Sequence, residues 1–210
     1  MKRPRSTLVT ACLLVSLPLA TQIGTAQAPA ATANGGTGFV VADAQFMQGM
    51  IGHHAQALVM AAWAPTHGAS ARVALLCRKI MISQHDEIVM MQNWLKDRNQ
   101  SAPDPSAMPA HDGMNMSMAD HAMLMPGMLT PEQLKQLDQA KDTAFDRLLL
   151  TGMIQHHEGA LKMVADLFAT PGAGQGSEIF RYATDVDADQ RAEIDRMQQM
   201  LNSSPGSKSP

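Results

Sequence analysis

The chain has 210 residues, ample for one domain, with 45% apolar residues to form a core. A net charge of −3 excludes a strongly basic nucleic-acid binder, and two cysteines exclude a disulfide scaffold. Only 4% of residues are aromatic, which argues against a β-sandwich or barrel, whereas 18 Met and 8 His stand out.

Residues 1–28 read as a secretory signal peptide. Lys2, Arg3 and Arg5 form a positive start, Leu8 to Leu19 is apolar, and Ala26-Gln27-Ala28 is a cleavage signature. Gly24-Thr25-Ala26 is an alternative cut two residues earlier. The apolar run is too short to span a bilayer. The expectation is a periplasmic or secreted protein that is not membrane-embedded. Val9-Thr10-Ala11-Cys12 loosely resembles a lipoprotein box, but the apolar run continues past it. Cleavage removes three basic residues, so net charge falls from −3 to −6. It also leaves Cys77 as the sole thiol, so no internal disulfide is expected. Residues 29–42 read as a flexible arm, with small and polar residues from Pro29 to Gly38.

The next elements are helices by their apolar period, expected at 43–64, 71–97, 142–168 and 177–201. In the first, Phe46, Met50, His53, Ala57 and Met60 share a face, and Pro65 with Gly68 ends it. In the second, Cys77, Ile80, Gln84, Glu87, Met91 and Trp94 do so. The third carries Leu149, Met153, His156, Ala160 and Met163, and the fourth Val186, Gln190, Glu193, Met197 and Met200. Short connections make 43–97 one antiparallel hairpin. Residues 130–201 hold a second, preceded by a short helix that Thr130, Pro131 and Gln133 start with a capping box. Residues 98–129 are a Met/His-rich linker and 202–210 a tail. The expected fold is all-α: a ferritin-like four-helix bundle of two repeated hairpins with a long crossover.

The hairpins repeat in sequence. Met50-Ile51-Gly52-His53-His54-Ala55-Gln56-Ala57-Leu58-Val59-Met60 returns as Met153-Ile154-Gln155-His156-His157-Glu158-Gly159-Ala160-Leu161-Lys162-Met163. Gln84, Glu87 and Ile88 return as Gln190, Glu193 and Ile194. These polar residues interrupt the apolar stripes, and a buried polar group is costly unless paired or ligated. Met at i and His at i+3 or i+4 share a helix face. Thioether sulfur selects Cu(I), while imidazole also suits Cu(II), Zn and Ni. Met50, His53, His54, Met153, His156 and His157 are therefore candidate metal ligands, with Glu87 and Glu193 beside them. A hydrogen-bonded core network is the plainer reading of the same residues. Met60, Met81 and Met90 are expected to fill core, as is Cys77. His67, His85 and Asp86 are expected on exposed surface, with Asp185, Asp187 and Asp189 a solvated face.

Residues 108–128 hold seven Met and two His with no helical period. Met114, Met116 and Met118 alternate, so an extended chain would project them to one side. With His111 and His121 they resemble the Met-x-Met segments of exported copper carriers. Thioethers do not titrate, so such sites would persist in acid while His sites weaken below about pH 6.5.

The doubled M-I-x-H-H-x-x-A-L-x-M pattern, with its Gln-x-x-Glu-Ile blocks, resembles the family called domain of unknown function 305 over residues 43–201. Its members are mostly exported bacterial proteins, and a periplasmic copper-binding protein is among them. The resemblance implies a ferritin-like bundle that binds copper through His and Met and aids copper tolerance. It places the family motif at Met50, His53, His54, Met153, His156 and His157, with Glu87 and Glu193 in the accompanying blocks.

The expected function is therefore copper binding, as carrier, buffer or tolerance factor, without enzymatic activity. Cu(I), with Cu(II) as a second state, is the expected cargo, and other periplasmic copper proteins are the expected partners. A ferritin-like di-metal oxidase is an alternative, weakened because neither half contains Glu-x-x-His. The other alternative is a non-metal interaction module with a structural polar core.

Overall fold

Helix boundaries follow the local signals. Thr130 and Gln133 exchange the capping-box bonds: the Thr130 amide donates to Gln133 Oε1 at 2.8 Å, and the Gln133 amide to Thr130 Oγ1 at 3.3 Å. Pro131 fills the first turn. Ser70 caps the second long helix by accepting from the Val73 amide. Asp43 accepts the Val40 amide at 3.0 Å, which places a carboxylate at the positive end of the first helix. Its other oxygen accepts the Gly174 amide at 2.7 Å and so ties that helix to a distant turn.

The computed structural model describes residues 38–107 and 124–203. Among these are five α-helices and no strand: α1 (Val41–Ala62), α2 (Ala71–Asp97), α3 (Pro131–Gln139), α4 (Asp142–Ala169) and α5 (Ser177–Ser203). Residues 1–28, expected to be a signal peptide, lie outside the described residues. So do most of the arm, the end of the tail, His111, Met114, Met116, Met118 and His121. No helix among the described residues is long and apolar enough to cross a membrane.

Helix α1 packs along α2 and α4 along α5, while α1 also packs on α4. The core has two apolar clusters. One gathers Phe46, Met50, Ile88, Met91, Trp94, Val164, Tyr182 and Val186. The other gathers Met60, Leu76, Ile80, Phe145, Leu149, Met153, Ile194 and Met197. Each long helix contributes to both.

Three expectations need correction. Met81 and Met90 do not fill core: they are 38% and 52% exposed on α2. Each stands one residue, roughly 100° of helix rotation, from the buried Ile80 and Met91. His67 is buried rather than exposed. Its Nε2 donates to the Asp138 carbonyl at 2.7 Å, and its ring packs 5.0 Å from that of Phe145. The segment expected as a linker, 98–129, is held on the bundle at both of its described ends. Gln48 and Gln92 donate to the Ser101 and Pro103 carbonyls, and Met128 and Leu129 are buried. Met163, expected on the core face, is only half-buried. Cys77 is buried as expected, and burial pushes its thiol up to about 12.

Candidate metal centre

The two apolar clusters are separated by a polar layer. On α1, Met50 belongs to one cluster and Ala57 to the other, with His53 and His54 between. On α4, Met153 and Ala160 bracket His156 and His157 in the same way. Gln84 and Glu87 lie between Ile80 and Ile88 on α2, and Gln190 and Glu193 between Val186 and Ile194 on α5. All four helices thus interrupt their apolar stripe at one level. The four imidazoles are fully buried, and a buried polar group without a partner costs a few kcal/mol.

Half of each ring is satisfied. His54 Nε2 meets Glu87 Oε2 at 2.5 Å, and His157 Nε2 meets Glu193 Oε2 at 2.6 Å. His156 Nε2 donates to the His53 carbonyl at 2.8 Å, and His53 Nε2 to the Pro126 carbonyl at 3.0 Å. The His53 and His156 ring centroids are 3.8 Å apart. A carbonyl oxygen only accepts, so Nε2 carries the proton in both of those rings. Burial first, then the neighbouring His54, pushes the His53 imidazole down to about 3. Burial and the surrounding imidazoles also hold His156 well below its ordinary range. Both rings are therefore neutral at pH 7, and Nδ1 of each bears a lone pair.

The other half of each ring is unsatisfied. Nδ1 of His53, His54, His156 and His157 has no hydrogen-bond partner among the described residues, nor do Gln84 Oε1, Gln190 Oε1 and the Tyr182 hydroxyl. An imidazole with Nε2–H held by a carboxylate or carbonyl, and Nδ1 free, has the arrangement of a metal-ligating histidine. Among the described residues, no three His, Cys, Asp or Glu side chains are grouped to hold an ion on their own. Soft sulfur is available nearby: Met50 and Met153 are buried one turn before the His pairs, on opposite sides of the layer. Glu87 and Glu193 are 14% exposed and form the outer edge of the layer. Partial burial and the nearby Glu87, Glu193 and Asp185 carboxylates raise the Asp189 carboxyl, so the edge carries a negative field.

A strap that no sequence motif announces crosses this layer. Gln56 grips Leu129 twice, accepting its amide at 2.8 Å and donating to its carbonyl at 3.0 Å. Gln155 donates to the Gly127 carbonyl at 3.3 Å. Gly127 has φ +74°, and a Cβ on Gly159 would lie within 1.9 Å of the Pro126 oxygen. Backbone thus meets backbone, which only glycine permits. The available signal was the departure from the repeat. Gly52 and Gln56 in the first half stand opposite Gln155 and Gly159 in the second.

The sequence profile of the domain of unknown function (DUF305) matches residues 43–201, most of the chain. The protein belongs to the DUF305 family. A DUF305 fragment from Deinococcus radiodurans has a similar structure, with a TM-score of 0.62 and 28% identity. The match covers 83% of this chain and 99% of that one. A DUF305 protein from Streptomyces coelicolor gives 0.61 and 26%, over 76% of this chain and 91% of its own. CopM in its Cu(II)-bound form gives 0.58 and 27%, and in its Cu(I)-bound form 0.56 and 25%. Each match covers 76% of this chain and 95% of CopM. No curated protein matches the chain.

Proposed function

We propose that this DUF305 protein is an exported copper-binding protein, a carrier, buffer or tolerance factor built as a ferritin-like bundle of two antiparallel hairpins. The observation that carries this reading is the set of four buried imidazoles whose Nε2 atoms are engaged and whose Nδ1 atoms are not. Nδ1 lone pairs suit both copper oxidation states, and the adjacent Met50 and Met153 thioethers favour Cu(I). CopM, a structural neighbour, has been solved with each of those two ions. The seven Met of 108–128 supply further soft donors on the same chain. Export is supported by the signal-peptide pattern of residues 1–28, and partners would be other copper proteins of the same compartment.

A binding role fits the donors better than an oxidase role. Glu87 and Glu193 are each engaged by a histidine, whereas a di-metal carboxylate centre needs them and further carboxylates to bridge ions.

The test is a Cu(I) titration against a calibrated chelator on three mature proteins. One is intact, one lacks residues 108–123, and one carries Gln at positions 53, 54, 156 and 157. Affinity that collapses with the His changes supports the layer as the principal site. Collapse with the deletion alone would make the four His structural and move the metal to the Met-rich segment. Absence of binding by the intact protein would overturn the copper reading. Binding to the folded state must also raise thermal stability, by about 2.7 kcal/mol at a ligand concentration of 100 Kd.

A further inference from the structure

Helix α2 carries an apolar stripe on its outer face. Leu75, Ile82 and Val89 are all exposed, Ile82 by 65%, with Met81 and Met90 beside them. Seven residues return an α-helix to within about 20° of the same direction, so the three side chains form one line along α2. Leu58 of α1 joins Met81, Ile82, His85 and Asp86 around an open hollow, which widens the apolar surface towards α1.

The internal repeat shows that the bundle does not require this stripe. Gln84, Glu87 and Ile88 correspond to Gln190, Glu193 and Ile194, so Leu75, Ile82 and Val89 correspond to Arg181, Ala188 and Asp195 on α5. Met81 and Met90 correspond to Asp187 and Arg196. The two helices hold equivalent places, α2 against α1 and α5 against α4. The same position in the fold is therefore covered by charged and small residues in one half and by large apolar ones in the other. An exposed apolar patch rimmed by polar residues marks a contact surface.

The charges beside the stripe select its occupant. Arg78 stands four residues before Ile82 and Asp86 four residues after it. Both are exposed, and Arg78 has no ion-pair partner among the described residues. A second α2 laid antiparallel on the first, crossing at Ile82, pairs each residue before Ile82 with the one equally far after it. Ile82 then meets Ile82, Leu75 meets Val89, and Arg78 meets Asp86, the last two pairings occurring twice by symmetry. Lys79 falls opposite His85, beside which the Asp86 carboxylate lies at 3.7 Å and offsets the pair. A parallel arrangement would instead set Arg78 on Arg78 and Asp86 on Asp86.

We propose that the outer face of α2 is a homodimerisation surface, on which two copies of the chain pair antiparallel through Leu75, Ile82 and Val89 with an Arg78–Asp86 ion pair on each side of the axis. One helix pair is small for a permanent interface, so the association is reversible and concentration-dependent.

The test is sedimentation velocity on the intact mature protein, from micromolar to near-millimolar concentration. The dimer fraction is expected to rise over this range. Ile82→Glu sets two carboxylates on the axis and is expected to leave a monomer. Arg78→Glu alone and Asp86→Arg alone each turn both ion pairs into like-charge contacts, so each is expected to be monomeric. Mixed in equal amounts, these two variants are expected to recover a dimer, because every new charge then faces its opposite. All three positions are exposed, and circular dichroism checks that the helices are kept. An intact protein that stays monomeric throughout would overturn the proposal, as would association that survives Ile82→Glu. Single charge variants that dimerise like the intact protein, or a mixture that stays monomeric, would overturn the antiparallel pairing.

Discussion

His156 Nε2 donates to the backbone oxygen of His53 at 2.8 Å, and the two rings lie 3.8 Å apart. The first histidine of one repeat is thereby bonded directly to its counterpart. The equivalent hydrogen on His53 goes to the Pro126 oxygen at 3.0 Å. The crossover has taken one half of a two-fold arrangement, and the polar layer is joined to the strap through that bond.

Replacing His156 by Ala is expected to destabilise the metal-free protein by about 2–5 kcal/mol. A fully buried ring is removed where α1 and α4 pack, and a buried carbonyl loses its donor. Urea unfolding followed by circular dichroism measures this, and a loss below about 1 kcal/mol would contradict the packing described.

Metal-free stability is expected to fall as pH drops below 6.5. The folded-state pKa of His53 is lowered to about 3, and that of His156 is also lowered well below 6.5. The unfolded chain therefore takes up protons that the folded chain refuses. Each ring contributes stability that is fully present above pH 6.5 and lost as pH falls towards the folded value, by about 1.4 kcal/mol per pH unit. Urea midpoints at pH 7.5, 6.5, 5.8 and 5.2 test this before most carboxylates titrate. A flat profile would mean that the two rings are not held neutral.

Gly159→Ala is expected to displace the strap without unfolding the helices. The added Cβ would lie 1.9 Å from the Pro126 oxygen, with Gly127 behind it. Overpacking of this kind costs about 1–3 kcal/mol. The clearest readout is hydrogen exchange at the Leu129 amide, which donates to the buried Gln56. Its protection should drop while that of the α2 core amides stays.

Glu87→Gln and Glu193→Gln are expected to weaken copper binding without abolishing it, by about 10–100-fold each. The carboxylate holds Nε2 of its histidine and raises the basicity of Nδ1. Cu(II) affinity measured by competition should show the loss, and unchanged affinity would remove the paired histidines from the ligand set.

Much of this architecture was legible in the chain. Periodicity located the long helices, with α2 at 71–97 as found, and Thr130-Pro131-Glu132-Gln133 announced its own capping box. These are local matters: caps and apolar periods act within a few residues, so the sequence carries them directly. The doubled His-His and Gln-x-x-Glu blocks likewise showed that polar groups would interrupt each stripe.

What the sequence could not decide depended on contacts between distant segments. The side chain that each imidazole meets, the nitrogen left free, and the descent of residues 124–129 onto α1 and α4 are long-range outcomes. Met81, Met90 and Met163 went astray for the same reason. Composition makes every Met a core candidate, but a single step around the helix, or a segment arriving from elsewhere, decides which is covered. The sequence by itself determined the helices, their repeat and the chemical kind of the polar layer. Only the tertiary structure decided which atoms of that layer are satisfied and which remain available, because burial and hydrogen bonding across the layer are made between helices and not within them.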